Sequence, residues 1–274
     1  HAHYQALGAA LLKGPVYADL IDAPAALPPI LKDIQPFTPP PFVRKGVDLF
    51  RDRWPIKLFG EGTIRGNGGL RIVDEDCGTS VAGLYAAGDA ATRELATGAI
   101  SGGGAVNSAW ALTSGQIAGA AAARRGLAIR GKAAGRALAV GSAGIAPASA
   151  DRPIDRKMIE ADIDHHMNGY LHSLWRSRTQ LSDSLALLDT HWRTISDHSR
   201  AQGLALVALR ETAAMTATAR WCTAAALARN ESRGIHVRVD APALDTAGGA
   251  RLLTGGLDRI WTRPERRVYA EAAA

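Results

Sequence analysis

The chain has 274 residues, of which 47% are apolar, 21% charged and 5% aromatic, and 29 are glycine. That length suits one large or two modest domains, and the composition excludes a disordered tail, a collagen-like repeat and a coiled coil. A net charge of +6 from 32 basic and 26 acidic side chains favours an anionic ligand or acidic partner over a dedicated nucleic-acid binder, whose basic residues gather on one face.

The chain opens HAHYQALGAALLKGP, with no basic start and no long apolar core, so no signal peptide is expected. The absent initiator Met is expected of a fragment or a processed chain. Residues 1 to about 60 alternate short apolar pieces with Pro-rich connections such as Pro39-Pro40-Pro41. Within them Val16 to Leu20, bounded by Gly14-Pro15, is predicted as a strand.

Residues 60 to 125 predict a glycine turn around Arg65 to Gly69, a strand from Leu70 to Val73, an acidic turn from Asp74 to Gly78, and a strand from Gly83 to Ala87. A glycine loop and a helix from about Ala105 to Arg125 follow. A strand that passes through glycines into a helix is α/β chemistry at a ligand-binding edge. Leu95 to Ala123 are 29 consecutive uncharged residues, long enough for a membrane span. Thirteen of them are Gly, Ser, Thr, Asn or Gln, so the stretch predicts closely packed backbone and no transmembrane segment.

Residues 126 to 150 carry no clean period and are assigned as a linker. Beyond Asp151 the periodicity turns helical. Ile159, Ile163, Met167, Tyr170 and Leu174 mark one helix, and Leu185, Leu188, Trp192 and Ile195 a second. A third, from about Leu204 to Ala228, is uncharged between Glu211 and Arg220 and is expected to be the most buried. Three helices with short connections predict an antiparallel bundle. Arg233-Gly234 is expected to end the third helix, and the remaining residues to form an arm folded back over other parts.

The two cysteines, Cys77 and Cys222, have no metal-ligand spacing. They exclude a zinc ribbon or iron–sulfur cluster held by this chain alone and suggest a reducing, cytoplasmic setting. His165 and His166, with Asp162 a turn earlier, predict a solvated helix surface, because adjacent residues point to different faces. No metal site is expected, and Trp175 and Trp192 are expected in the core.

The strongest chemical signal is Gly83-Leu84-Tyr85-Ala86-Ala87-Gly88-Asp89-Ala90. An apolar segment ending in Ala-Gly-Asp lets backbone approach a ligand closely and ends on a carboxylate able to accept hydrogen bonds from a hydroxyl. By itself it also fits a tight turn with Asp89 as a helix cap. Gly98, Gly102, Gly103 and Gly104 then lead through Ala105 to Asn107 and Ser108 at a helix start, where free N–H groups and partial positive charge favour an electron-rich ligand. A Gly-rich loop capping an ordinary helix is the plain alternative.

Three further stretches occur with it in a set order: Lys13 to Leu20, Gly68-Gly69, and Ala228-Arg229-Asn230-Glu231-Ser232-Arg233-Gly234-Ile235-His236-Val237-Arg238-Val239-Asp240-Ala241-Pro242. Together with the Ala-Gly-Asp segment, this order resembles the flavoprotein family of succinate dehydrogenase, fumarate reductase, L-aspartate oxidase and adenylylsulfate reductase. The resemblance covers nearly the whole chain. It implies an incomplete α/β FAD-domain portion followed by an all-α three-helix bundle. Residues 1–55 would be the C-terminal part of a capping domain, 56–125 the C-terminal part of the FAD-binding domain, 126–150 a linker, 151–232 the helical bundle and 233–274 the arm.

The same resemblance implies FAD held by Gly88, Asp89, Gly102, Gly103, Gly104, Ala105, Asn107 and Ser108. Asp89 would bind the ribityl chain, and the 102–108 backbone would face the pyrimidine end. The chain contains no GxGxxG, so an N-terminal FAD-binding half or subunit is an expected partner. An iron–sulfur electron-transfer protein, a small-molecule substrate and a peripheral attachment to a membrane through a partner are implied by analogy. The family's substrate-binding His four residues before the Gly-Gly is replaced by Ile64, and no Arg lies between Arg93 and Arg124. C4-dicarboxylate chemistry is therefore not implied, and the catalytic residues stay open among Arg65, His236 and Arg238. His236 and Arg238 either face the cofactor domain or pin the arm, and pinning is the favoured reading. The activity implied is hydride exchange between a small organic substrate and flavin, followed by electron transfer to another carrier. A non-catalytic partner subunit, or a basic RNA- or anion-binding scaffold, are the rival functions.

Overall fold

A computed structural model describes residues 2–58, 69–93, 104–131, 154–198, 201, 203–246 and 249–265. The chain separates into two compact units, one of residues 1–59 with 141–274 and the other of residues 60–140.

In the first unit, helix α1 (Ala2–Lys13) is rich in Ala and Leu and stops where Pro15 can no longer donate a helical hydrogen bond. The predicted strand forms over a shorter span, as β1 (Val16–Ala18), paired antiparallel with β2 (Trp54–Ile56). Asp19 ends β1, its carboxylate accepting from the Ile21 N–H and from Arg53 Nε at 3.1 Å. Two short helices, α2 (Leu27–Ile34) and α3 (Pro39–Val43), begin with prolines in the first turn, where no N–H partner is needed. The N-terminal stretch meets the later helices at two points. The Tyr170 hydroxyl bridges Leu58, accepting from its N–H and donating to its carbonyl at 3.0 Å each. At Gly8, a Cβ would lie 2.5 Å from Leu174 and 3.3 Å from the Trp175 ring, so glycine allows that close approach.

The bundle is built from α5 (Arg156–Asn168), α7 (Arg178–His198) and α8 (Gly203–Ala228), with the four-residue α6 (Tyr170–Ser173) between the first two. The stretch expected as one helix through Leu174 is broken at Gly169, whose extended backbone ends α5 and starts α6. Asp155 caps α5, accepting from the Met158 N–H at 3.0 Å. Ile159, Ile163, Leu188, Ile195, Leu209, Ala213 and Ala219 form the core, and each large aliphatic there contributes about 2 kcal/mol by burial. Trp192 joins this interior and Trp175 is half-buried.

α8 buries more than apolar groups. Thr212, Thr216 and Arg220 all face inward, and Arg220 donates to Asp189 at 2.7 Å and to the Leu257 carbonyl at 2.6 Å while stacking over Trp192. Its neighbour Trp221 donates to the Gly256 carbonyl at 2.7 Å. These bonds hold the hairpin of β3 (Leu252–Gly255) and β4 (Trp261–Pro264). Gly256 turns that hairpin at φ +88°, where a Cβ would meet the Arg259 carbonyl oxygen at 2.0 Å. The third helix covers Gly203–Ala228, close to the expected span of Leu204 to Ala228; Arg233-Gly234, expected as its stop, instead turns a tight loop closed by mutual bonds between Arg233 and His236.

In the second unit, the expected strands at 70–73 and 83–87 form only single bridges, Leu70 with Ala91 and Gly78 with Tyr85. An extended segment becomes a strand only when a neighbour pairs along it, and the described residues of this unit supply no further pairing. The α/β sheet expected here is therefore absent among the described residues. The acidic turn forms as expected, with Asp74 Oδ1 accepting from the Asp76 and Gly78 N–H groups at 3.0 and 2.7 Å. Helix α4 spans Gly104–Ala128, and its Arg124 pairs with Asp76 at 2.6 Å. No helix among the described residues is long and apolar enough to cross a membrane.

Candidate functional site

The Ala-Gly-Asp segment ends in a single 3-10 turn, Gly88–Ala90, entered by Gly88 at φ +59°. Glycine suits this left-handed conformation, which costs other residues strain. Two side chains one turn apart on α4 take up both polar groups of Gly88. Its N–H donates to Ser114 Oγ at 2.9 Å, and its carbonyl accepts from Trp110 Nε1 at 3.0 Å. The Ser114 hydroxyl in turn donates to the Trp110 carbonyl. With the Gly88 backbone satisfied from the helix side, Asp89 is left exposed. Gly69, at φ +85°, packs so tightly that a Cβ would lie 2.6 Å from the Ala90 carbonyl oxygen.

The start of α4 is tied through Arg93 to the segment that follows the turn. This guanidinium is buried, and its Nη1 donates to Asn107 Oδ1. Ser108 is exposed beside it. Gly88, Asp89, Asn107 and Ser108 thus belong to one unit, with Gly104 and Ala105 in the first turn of the helix between them. Arg65, Gly102 and Gly103 lie outside the described residues. Trp110, Ser114 and Arg93 were not among the expected site residues. The spacing of four between Trp110 and Ser114 is the sequence signal that places both on one helix face; for Arg93 only its position four residues after Asp89 gives one.

His236 and Arg238 sit elsewhere, in the arm of the first unit. Arg176, just before α7, exchanges backbone bonds with Val237 and Val239 at 3.0 and 2.8 Å. His236 Nε2 donates to the Arg229 carbonyl at 3.0 Å, which leaves Nδ1 to accept from the Arg176 guanidinium at 2.9 Å. Burial holds the His236 pKa below its usual 6.5; the Arg229 carbonyl opposes this, while Arg176, Arg238 and Arg229 reinforce it. Arg238 has no exposed surface and grips Asp240. Glu231, buried between Arg229 and Arg233, accepts from both and from the Asp245 N–H. Its pKa is lowered to about 2, chiefly by the Arg233 hydrogen bonds, against the opposing cost of burial and with the help of Arg229 and the Asp245 N–H. The arm motif is thus a closed set of arginine–carboxylate and backbone bonds.

His165 and His166 do not diverge as helix geometry alone predicts. Their ring centroids are 5.2 Å apart, and His172 of α6 lies 4.9 and 4.8 Å from them. His166 Nδ1 meets Ser184 Oγ at 2.7 Å. No group of three or more potential ligands among the described residues is arranged to hold a metal ion.

A glycine turn clamped to a small-residue helix, a helical bundle and a pinned arm are the features with which known proteins are compared. The family described as fumarate reductase flavoprotein C-term matches residues 173–252, from the end of α6 through α7 and α8 and into the arm as far as Leu252. The chain is similar over most of its length to three solved structures. E. coli quinol fumarate reductase FrdA, in a mutant form, is 18% identical with a TM-score of 0.56, covering 93% of this chain and 46% of that one. The Mycobacterium smegmatis Sdh1 complex in the apo form is 23% identical with a TM-score of 0.55, covering 92% and 44%. A quinol-fumarate reductase with menaquinol molecules is 19% identical with a TM-score of 0.59, again covering 92% and 44%. The chain thus spans less than half the length of these structures. No curated protein sequence matches it.

Proposed function

We propose that this chain forms part of an FAD-dependent oxidoreductase, with the turn at Gly88–Ala90 and the start of α4 as its share of the flavin site. The observation that carries this reading is the clamp on Gly88. Trp110 and Ser114 use the helix side of the turn, leaving the exposed carboxylate of Asp89 and the polar groups at the start of α4 for a ligand. The polar groups suit FAD: a carboxylate to accept from a ribityl hydroxyl, and N–H groups to donate to the carbonyl-rich pyrimidine edge. Asp89, Asn107 and Ser108 would hold the cofactor, with the backbone of Gly102, Gly103, Gly104 and Ala105 facing its pyrimidine end. Bound FAD would accept or return a hydride from a small organic substrate.

The dinucleotide-binding part would come from an N-terminal half or a separate subunit, since these 274 residues contain no GxGxxG. Reoxidation of the flavin would need a further electron carrier, for which an iron–sulfur protein is the candidate by analogy. His236 and Arg238 act in this reading as pins of the arm, since their polar atoms are engaged with Arg229, Arg176 and Asp240. Arg65 is the remaining candidate for an anion contact. One observation favours a second reading as a non-catalytic partner subunit: residues 4–164 contain no histidine for acid–base work. Electron transfer from any donor through the intact complex distinguishes the two. The complex should retain FAD through purification; a complex that is colourless and gains no thermal stability from added FAD overturns the flavin reading.

A further inference from the structure

We infer that Arg93 is a positioning residue that fixes Asn107 as a hydrogen-bond donor toward the flavin. The inference rests on the flavin reading above. A guanidinium carries donors only, so the atom of Asn107 that faces it must be the carbonyl oxygen. The Arg93 Nη1 bond therefore sets the amide's orientation by chemistry. The other end of the amide, Nδ2, donates to nothing among the described residues, and Asn107 is only half-buried. Burial of Arg93, which is 2% exposed, keeps water from competing for the Asn107 oxygen and holds this orientation. An amide locked in this sense selects a ligand atom that accepts, such as a carbonyl oxygen of the isoalloxazine ring, and rejects one that donates. Asn107 lies one turn into α4, so its Nδ2–H adds to the donors at that helix start.

The carboxylate of an Asn107→Asp variant separates orientation from structural support. It would pair with Arg93 at least as well as the amide does, and an acid near a helix start is favourable, so the fold keeps its stability. It would, however, present no donor. The test titrates FAD into the full chain, together with the companion that co-purifies with it, following quenching of flavin fluorescence. The same samples without FAD are melted by circular dichroism. Asn107→Asp should melt at or above the wild-type temperature yet bind FAD about tenfold more weakly, the effect of one lost hydrogen bond in a partly buried site. Arg93→Lys, which retains a donor for the Asn107 oxygen, should stay within about threefold of wild type, and Arg93→Met should fall as Asn107→Asp does.

Wild-type FAD affinity in Asn107→Asp overturns the inference, as does equal affinity in Arg93→Lys and Arg93→Met, while both results leave the flavin reading standing. Should Arg93→Met fail to fold, Asn107→Asp decides alone. Absence of FAD binding by the wild-type complex overturns the flavin reading and this inference with it.

Discussion

Arg238 and Asp240 are joined by two parallel hydrogen bonds, Nε to Oδ1 and Nη2 to Oδ2, each 2.8 Å long. Arg238 is wholly buried, and the second oxygen of Asp240 also accepts from the Arg178 N–H at the start of α7, at 2.9 Å. The pair ties the arm to the bundle. Arg238→Met should destabilise the chain by about 2 kcal/mol, because it leaves the Arg229 carbonyl and the carboxylate short of donors. Arg238→Lys should recover only part of this, since an ammonium cannot reproduce the fork. Urea unfolding of the three proteins measures the order.

Acid sensitivity should follow from Glu231. Its folded pKa of about 2 lies below the ordinary 4.5, so the folded state binds this proton less readily than the unfolded state. The stability it contributes is fully present above pH 4.5 and is lost as pH falls toward 2. Asp240 is lowered further by Arg238 and acts in the same direction. Glu231→Gln should be less stable at neutral pH and should flatten the decline in this acid window, as seen in melting curves across pH.

The three-imidazole cluster should act at higher pH. His172 is held below 6.5 by burial, then by His166 and His165. His166 is lowered by burial and by His165 and His191, with Asp162 opposing. Depressed values mean that their contribution is whole above pH 6.5 and declines as pH falls below it. His172→Asn should reduce the loss of stability as pH falls below 6.5. An unchanged slope would show that the rings do not interact as their 4.8 to 5.2 Å spacing implies.

Gly88 offers a backbone test of the turn. A Cβ there would meet only Ala111, at 3.8 Å, so the cost of substitution comes from φ +59° and not from crowding. Gly88→Ala should cost about 1 kcal/mol, and Gly88→Asn less, because Asn tolerates the left-handed region. Thermal unfolding of both variants checks this order.

The helices were legible in the sequence because their signals are local. Ile159 and Ile163, or Leu188 and Ile195, recur at helical spacing whatever their surroundings, and both pairs lie in the core. Gly169 was the exception: nothing in the period at Tyr170 and Leu174 shows that the backbone extends between them. The strands at 70–73 and 83–87 failed for the opposite reason. Their apolar runs are present, but a strand depends on a partner remote in sequence, and only one residue of each finds one. The three-imidazole cluster was invisible because His172 joins through α6, after a break that periodicity cannot register. At the candidate site the glycines announced the turn and the helix start. The clamp by Trp110 and Ser114 and the Arg93–Asn107 bond needed the tertiary arrangement.

The most direct test of the central claim is the visible spectrum of the gently isolated complex, taken with the identity of the cofactor released on denaturation. The account predicts the two-band spectrum of oxidised flavin, bleached by a reductant, with FAD recovered in step with this chain and a companion. A colourless complex that releases no FAD, and whose melting temperature does not respond to added FAD, would contradict it.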